Sequence, residues 1–267
     1  MSLSDMAKRL LPYRLRNLVG VHGIRLISRG TFTMACFSLI ADCRLLDVKV
    51  LSGGLCSRYV NGREIISHRD GFRVFHEIFD VKPYEKYWSP QKGDVVLDLG
   101  AYVGMFSYRA SLLVGESGTV VAVEPDKNNM DLLIHNLDGL ANITPVQVAV
   151  GEINGLTELY ITPKTTCHNT INNAGKKVPI KMINIDTLVK SLGLSRVDYI
   201  KMDIEGAELK ALRSAVGTLA GNDVKLAIEY YHTSDKRKSG GLIAGFLKSL
   251  GYGVTVEREY IYAQRKS

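Results

Sequence analysis

Two acid-bearing stretches hold the residue types that could do chemistry in this chain. The first is Val95-Val96-Leu97-Asp98-Leu99-Gly100-Ala101-Tyr102-Val103-Gly104, an apolar run that ends in an acid and a pair of glycines. The run reads as a buried strand, and Gly100 and Gly104 free the backbone for close approach by a ligand. The helix start that follows offers unpaired N–H groups to a carboxylate. Asp98 places a negative charge where an α-ammonium could sit. The turn therefore suits a ligand with an amino-acid end, lined by Gly100, Ala101, Tyr102, Gly104 and Phe106.

The glycine spacing is GxxxG behind an acid, without the three glycines at fixed offsets that mark a dinucleotide site. This favours S-adenosylmethionine over NAD. Glu124 stands 20 residues after Gly104, at the end of a second strand-like run. An acid there can accept hydrogen bonds from both ribose hydroxyls. The structural alternative is a helix-start carboxylate before Pro125, a residue we also place against the cofactor. On topology alone, Gln147-Val148-Ala149 ends a third strand beside the adenine.

The second stretch is Tyr199-Ile200-Lys201-Met202-Asp203-Ile204-Glu205-Gly206-Ala207-Glu208. Asp203 ends the fourth main strand beside the first, at the topological switch point where open α/β sheets bind ligands. Glu205 and Glu208 fall in a first helical turn, where the helix dipole favours acids, and for Glu208 that structural role suffices. Glu229-Tyr230-Tyr231-His232 ends the fifth strand on the same side. A hydroxyl acceptor must lose its proton as it attacks a methyl group. Asp203 and His232 are the candidate bases, with Glu205 and Glu229 shaping the site, although His232 reads equally well as a structural histidine. Asp203, Glu205, Glu229 and His232 could also form an oxygen-rich metal site. Nothing in their spacing demands one, and no metal is expected.

Such positions meet only if a sheet brings them to one edge. Residues 94–99 read as a strand, 105–114 as a helix and 119–123 as a β-branched strand. Asp126 opens a helix whose Met130, Leu133, Ile134 and Leu137 share a face. Residues 143–150 form a third strand, and this alternation predicts parallel pairing with right-handed crossovers. Two strands, 156–161 and 178–183, then flank a polar loop at 162–177. Regularity returns with a helix at 186–192, a strand at 198–202 and a helix presenting Leu209, Leu212 and Val216. A strand at 224–229 and a helix at 241–250 follow. Strands 253–257 and 260–264 lie too close in sequence to be other than antiparallel. Before Gly93 the pattern is short and mixed: a basic helical start, strand-like 45–51 and 63–67, and a helix through Phe72, Phe75, Ile78 and Phe79 capped by Asp70. The expected fold is α/β: a Rossmann-like class I methyltransferase sheet, doubly wound, mostly parallel and seven-stranded, with a C-terminal antiparallel hairpin. A small N-terminal α/β cap at 1–90 precedes the cofactor-binding domain at 91–267.

Composition limits the alternatives. Among 267 residues, 46% are hydrophobic and 23% charged, which fits a folded chain and excludes disorder on a large scale. The longest apolar candidate, residues 31–41, is too short to span a membrane. Lys8, Arg9, Arg14 and Arg16 interrupt the apolar start of a secretory signal. Cys36, Cys43, Cys56 and Cys167 contain no CxxC pair, and His168 beside Cys167 has no matching cluster, so free thiols in a reducing cytoplasm are expected. Residues 1–30 carry six basic side chains against Asp5 alone, +5 of the net +7. That arm reads as a solvated basic helix able to touch an anionic membrane surface or nucleic acid. A nucleic-acid enzyme is the second reading and a non-catalytic cofactor-binding protein the third. Against the second, acids at the fourth strand's end repel phosphates, the remaining charge is nearly balanced, and no NPPY-like tetrapeptide is present. The lack of GxxxxGK[ST] removes P-loop chemistry.

The turn DLGAYVGMFS at 98–107, the VEP step at 123–125, the DTL helix start at 186–188 and KMDIEGAE at 201–208 together resemble the FkbM-type methyltransferase family. The helix at 72–79 and the pair Tyr84 and Tyr87 are also similar to that family, and the likeness covers roughly residues 70–232. It implies a class I fold, S-adenosylmethionine as methyl donor, and usually O-methylation of a hydroxyl on a sugar or secondary metabolite. This chain carries Tyr102 where the family's turn commonly has Asn.

Overall fold

Seven strands order themselves as β12-β13-β11-β10-β4-β5-β6 in a computed structural model that describes residues 48–51, 55–68, 71–161, 176–230 and 236–265. The central five are β4 (Val95–Leu99), β5 (Thr119–Val123), β6 (Ile143–Val146), β10 (Tyr199–Met202) and β11 (Lys225–Glu229). They pair in parallel, with Leu97 opposite both Val121 and Ile200, and Ile200 opposite Leu226. β12 (Tyr252–Glu257) and β13 (Tyr260–Arg265) form the closing hairpin, and β13 runs antiparallel to β11. This is the doubly wound, mostly parallel seven-stranded sheet with a closing antiparallel hairpin that the sequence predicts. Its central strands are apolar on both faces because helices cover both: Val96, Leu97, Val120, Val121, Ile200, Leu226 and Ile228 are all essentially inaccessible.

The covering helices start where their sequences allow. α2 (Met105–Val114) follows Gly104, whose φ of 86° suits a residue without a Cβ. α3 (Lys127–Asn136) is capped by Asp126, whose side chain accepts from the N–H groups of Asn128 and Asn129 at 2.8 and 2.9 Å. α4 (Ile185–Ser191) is capped in the same way by Asn184, one residue ahead of the expected start. α7 (Lys236–Ser249) precedes the hairpin and packs against β12.

Four expectations are corrected. The third strand does not run through 143–150: β6 ends at Val146, and β7 (Ala149–Val150) leaves to pair with β9 (Lys176–Ile183), which in turn pairs with β8 (Gly155–Ile161) in a separate sheet. Pro145, which lacks a donor, and the exposed Gln147 mark the break. The single helix through Leu209, Leu212 and Val216 is two short ones, α5 (Glu208–Arg213) and α6 (Val216–Gly221), and Val216 is exposed. Glu205 is in no helix; it occupies a turn with φ 58°, before α5 begins. The helix at 72–79 is one α-turn, α1 (Phe72–Phe75), continued by a π-helical stretch His76–Val81 and a 3-10 turn Pro83–Glu85.

Val48–Val50 is the short strand β1. A hairpin absent from the sequence reading joins β2 (Leu55–Val60) to β3 (Arg63–His68) through Asn61-Gly62, with φ 50° and 80°, the two-residue turn that Asn-Gly favours. Asn136, at the end of α3, fastens it to that helix and to the turn at Val103. Its side chain accepts from Ile66 N–H and donates to the carbonyls of Ile66 and Val103, each at 2.8 Å. Val50–Ser267 forms one compact unit that includes this hairpin. Asp70, residues 1–47 with Cys36 and Cys43, most of the 162–177 loop with Cys167 and His168, and His232 lie outside the described residues.

Candidate active site

At the carboxyl ends of β4 and β10, two charged side chains break the apolar pattern at the same depth. Asp98 and Lys201 are register partners on neighbouring strands. Asp98 is fully inaccessible and Lys201 is 4% exposed. The Lys201 ammonium lies 3.1 Å from Asp98 and donates to the carbonyl of Gly100 at 2.6 Å, while Ser107 donates to the other Asp98 oxygen at 2.6 Å. Burial opposes the charge on Lys201, but Asp98, Asp203 and Glu229 around it hold its pKa above the ordinary value. Asp98 thus serves the turn from beneath, as the anchor of Lys201.

The turn itself is tied down from inside. Gly100 and Ala101 donate to the carbonyl of Val123 at 3.0 and 2.9 Å, and Gly104 donates to Ala101 at 2.8 Å. Tyr102, at φ 54°, donates its N–H to Glu124 at 2.9 Å. The amides of the turn itself are therefore spent within the protein. The two glycines answer to neighbours as well. A Cβ on Gly100 would come within 1.8 Å of the Asp203 carbonyl oxygen, and one on Gly104 within 2.9 Å of Leu137. Phe106, 3% exposed, lies behind the turn against Tyr84 and Tyr199.

Glu124 ends β5 with 6% exposure and accepts from Asp126 N–H at 3.0 Å and Asn129 at 3.2 Å besides Tyr102. Burial pushes its carboxyl up to about 7, against the lowering effect of those three donors. Asn129 links onward to His68 at 3.1 Å, and Pro125 beside Glu124 is half-buried. Val148 and Ala149 are buried but follow the break after β6, in the connection to the smaller sheet.

Asp203 and Glu229 come together as the ends of β10 and β11 suggest. Between them stands Tyr84, 2% exposed, from the segment before β4. Its hydroxyl donates to Glu229 and lies 3.3 Å from Asp203 Oδ2. Its ring meets Phe106 and Tyr260 edge-on at 5.7 and 5.6 Å, with the Lys201 ammonium 5.3 Å from its centroid. Tyr199 donates to the Tyr84 carbonyl, and Tyr260 donates to Glu77 at 2.9 Å. Burial first, then the charges of Asp203, Glu229 and Glu77, push the Tyr84 phenol well above its ordinary value. Glu205 is half-buried in the adjoining turn. Glu208 is buried and accepts from Gly206 N–H at 2.9 Å, the structural role expected of it. Among the described residues, no group of three or more His, Cys, Asp or Glu is arranged to hold a metal ion.

Lys201, Tyr260 and Glu77 were missed by sequence reasoning, and Tyr84 entered only through a family likeness. For Lys201 a signal existed: two opposite charges inside two apolar strands that the topology makes neighbours. For Tyr84 and Glu77 none did, because their elements are short and irregular.

Comparison with known proteins places these features in a wider group. The model of a family described as the methyltransferase FkbM domain matches residues 98–254. A probable cobalt-precorrin-6B C(15)-methyltransferase (decarboxylating) of Saccharolobus solfataricus is 25% identical over 145 residues, 48% of this chain and 73% of that protein. The hexuronic acid methyltransferase AglP of Haloferax volcanii is 24% identical over 132 residues, 48% of this chain and 53% of that protein. Among solved structures, the methyltransferase FkbM of Methylobacillus flagellatus aligns with 22% identity and a TM-score of 0.47, covering 67% of this chain and 45% of that one. The chain thus spans about half the length of the last two.

Proposed function

The chain belongs to the family of the methyltransferase FkbM domain, and from that premise we propose that it transfers the methyl group of S-adenosylmethionine to a hydroxyl of a sugar or small secondary metabolite. The observation that carries this reading is the convergence of Asp203 and Glu229 on one hydroxyl at the carboxyl ends of β10 and β11. The residues present fit the cofactor chemically. It is a cation with a ribose diol, and the strand ends bring together the acids Glu124, Asp203, Glu205 and Glu229. Glu124, with two acceptor oxygens at the end of β5, would hold the ribose. The turn at 100–104, with Phe106 behind it, would carry the amino-acid end; Pro125, Val148 and Ala149 would border the base.

When bound, S-adenosylmethionine supplies a methyl group already activated by a positively charged sulfur. The chain's own task is then to align an acceptor and take its proton. Asp203 is the candidate base at the end of β10, with Glu205 and Glu229 shaping the space around it; His232 is the second candidate, outside the described residues. The hexuronic acid methyltransferase among the relatives supports a sugar acceptor. A cytoplasmic location belongs to the same reading.

Calorimetric titration with S-adenosylmethionine, S-adenosylhomocysteine and NAD tests the first half. Micromolar binding of the first two without the third is expected, and no binding of either to folded, ligand-free protein would refute it. Transfer of a labelled methyl group to a panel of neutral sugars and hexuronic acids tests the second half. Label that resists mild alkali is an ether on a hydroxyl, as proposed; label that mild alkali releases is an ester on a carboxyl and overturns the hydroxyl assignment.

A further inference from the structure

Glu124 receives three N–H donors, and only one of them can turn away. Tyr102 N–H donates to Oε2 at 2.9 Å and Asp126 N–H to Oε1 at 3.0 Å, both from backbone. The third is the side-chain amide of Asn129, in the first turn of α3, which donates to Oε1 at 3.2 Å. An amide can reverse about its last torsion and present its oxygen where its nitrogen stood. The far end of this amide meets β3, where Asn129 Oδ1 lies 3.1 Å from His68 Nε2. With the amide nitrogen given to Glu124, the amide oxygen is the acceptor and His68 Nε2 carries the hydrogen. The reversed amide would need a bare Nε2 on His68 and a proton on Glu124 Oε1. His68 and Glu124 are therefore coupled through one buried side chain. The hairpin meets the same turn at a second point. Ser67, fully buried, donates to the Tyr102 hydroxyl at 3.4 Å, and the rings of His68 and Tyr102 lie 6.0 Å apart. Tyr102 thus reaches Glu124 with its N–H and β3 with its side chain.

We propose that His68 is a positioning residue for the cofactor's ribose: by donating Nε2–H to Asn129 it keeps the Asn129 amide donating to Glu124, and so keeps Glu124 an ionised acceptor. The β2–β3 hairpin is thereby a working wall of the cofactor site as well as a cover over the sheet edge. Burial raises the Glu124 carboxyl to about 7, and the Asn129 amide is one of the three donors that oppose the rise. Losing that donor favours the neutral carboxyl. A neutral carboxyl has less capacity to accept from two ribose hydroxyls than a carboxylate has.

The proposal rests on the methyltransferase reading for its ribose, but the coupling is measurable without any ligand. Carbon-13 NMR of the full chain, labelled at Glu carboxyls and assigned with Glu124→Gln, follows Glu124 through its titration. His68→Leu removes the donor, and the proton affinity of Glu124 should rise about threefold or more. His68→Gln, whose side-chain amide offers an N–H at similar reach, should restore it. An unchanged Glu124 titration in folded His68→Leu overturns the proposal, as does a rise that His68→Gln fails to reverse. Nitrogen-15 NMR of the wild-type ring needs no variant. At about pH 9, where a free imidazole is neutral, Nε2 should carry the hydrogen, and an Nδ1–H ring overturns the proposal. Should His68→Leu not fold, this ring decides alone. In calorimetry, His68→Leu should weaken S-adenosylhomocysteine about fivefold or more, and an analogue whose ribose lacks both hydroxyls by less than about twofold. Equal weakening of the two ligands would mean a hairpin that only supports the fold, and overturns the positioning role. Failure of the methyltransferase reading would appear instead as absent binding of S-adenosylmethionine and S-adenosylhomocysteine to wild type, with the Glu124 titration still deciding the coupling.

Discussion

Glu124 sets a pH dependence that belongs to a single side chain. Its carboxyl has an ordinary value of 4.5 and is pushed to about 7 in the fold by burial. Between those values the folded protein keeps a proton that the unfolded chain has lost, so stability is full below about 4.5 and declines as pH rises toward about 7. Urea midpoints measured across that window should fall for wild type and stay flatter for Glu124→Gln; parallel curves would show that Glu124 is not the group responsible. Under the cofactor reading, the ionised carboxylate is the form that accepts from the ribose. Binding near neutral pH should then release a proton, seen as a dependence of the calorimetric enthalpy on the buffer's ionisation heat, and Glu124→Gln should abolish the release. Lys201 offers a second test. Lys201→Met leaves Asp98 buried without its partner and should cost about 3–5 kcal/mol in denaturant unfolding. Adding Asp98→Asn should recover much of that loss, because the stranded charge is then gone.

At the level of elements, legibility followed regularity. Helix Met105–Val114 and strand Thr119–Val123 fall where periodicity and β-branching put them, and Asp126 caps the helix after it. The third strand was over-extended because Ile143–Val150 is apolar almost throughout, and a sequence does not reveal that Val146 and Ala149 serve different sheets. Of the β2–β3 hairpin, β3 falls on the strand read at 63–67, whereas β2 and its Asn-Gly turn were missed because Ser57 and Arg58 interrupt the apolar pattern of β2. The placement of Asp203, Glu229 and Glu124 at strand ends was legible, because strand ends at a switch point are predictable. The partners of Asp98 and Asp203 were not, because they depend on register and on a segment without regular structure. The hairpin makes its own prediction. Asn136→Ala removes three hydrogen bonds, one buried and two part-buried, and should cost about 2–4 kcal/mol. Amide exchange should quicken first across β2 and β3, whose attachment it cuts; uniform loss of protection over the whole sheet would contradict this.

For the molecule as a whole, ligand binding and stability are linked. A cofactor present at a hundred times its dissociation constant adds about 2.7 kcal/mol to the unfolding free energy. For a unit of this size that corresponds to a rise of about 5–10 °C in Tm. S-adenosylmethionine and S-adenosylhomocysteine should both produce it and NAD should not; an equal shift with NAD would point to a different nucleotide site. The ion pair beneath the turn has a further consequence, for the order in which the chain can acquire its structure during synthesis. Asp98 emerges from the ribosome before its partner Lys201, which follows about a hundred residues later, some 5–20 s at ordinary rates of translation. Until then the strand bearing Asp98 has no counter-charge and no neighbour on one side. Its half of the sheet must wait, open or acid-bound, for the strand Tyr199–Met202. The buried ion pair thus acts as a latch that closes only once the strand Tyr199–Met202 has been made.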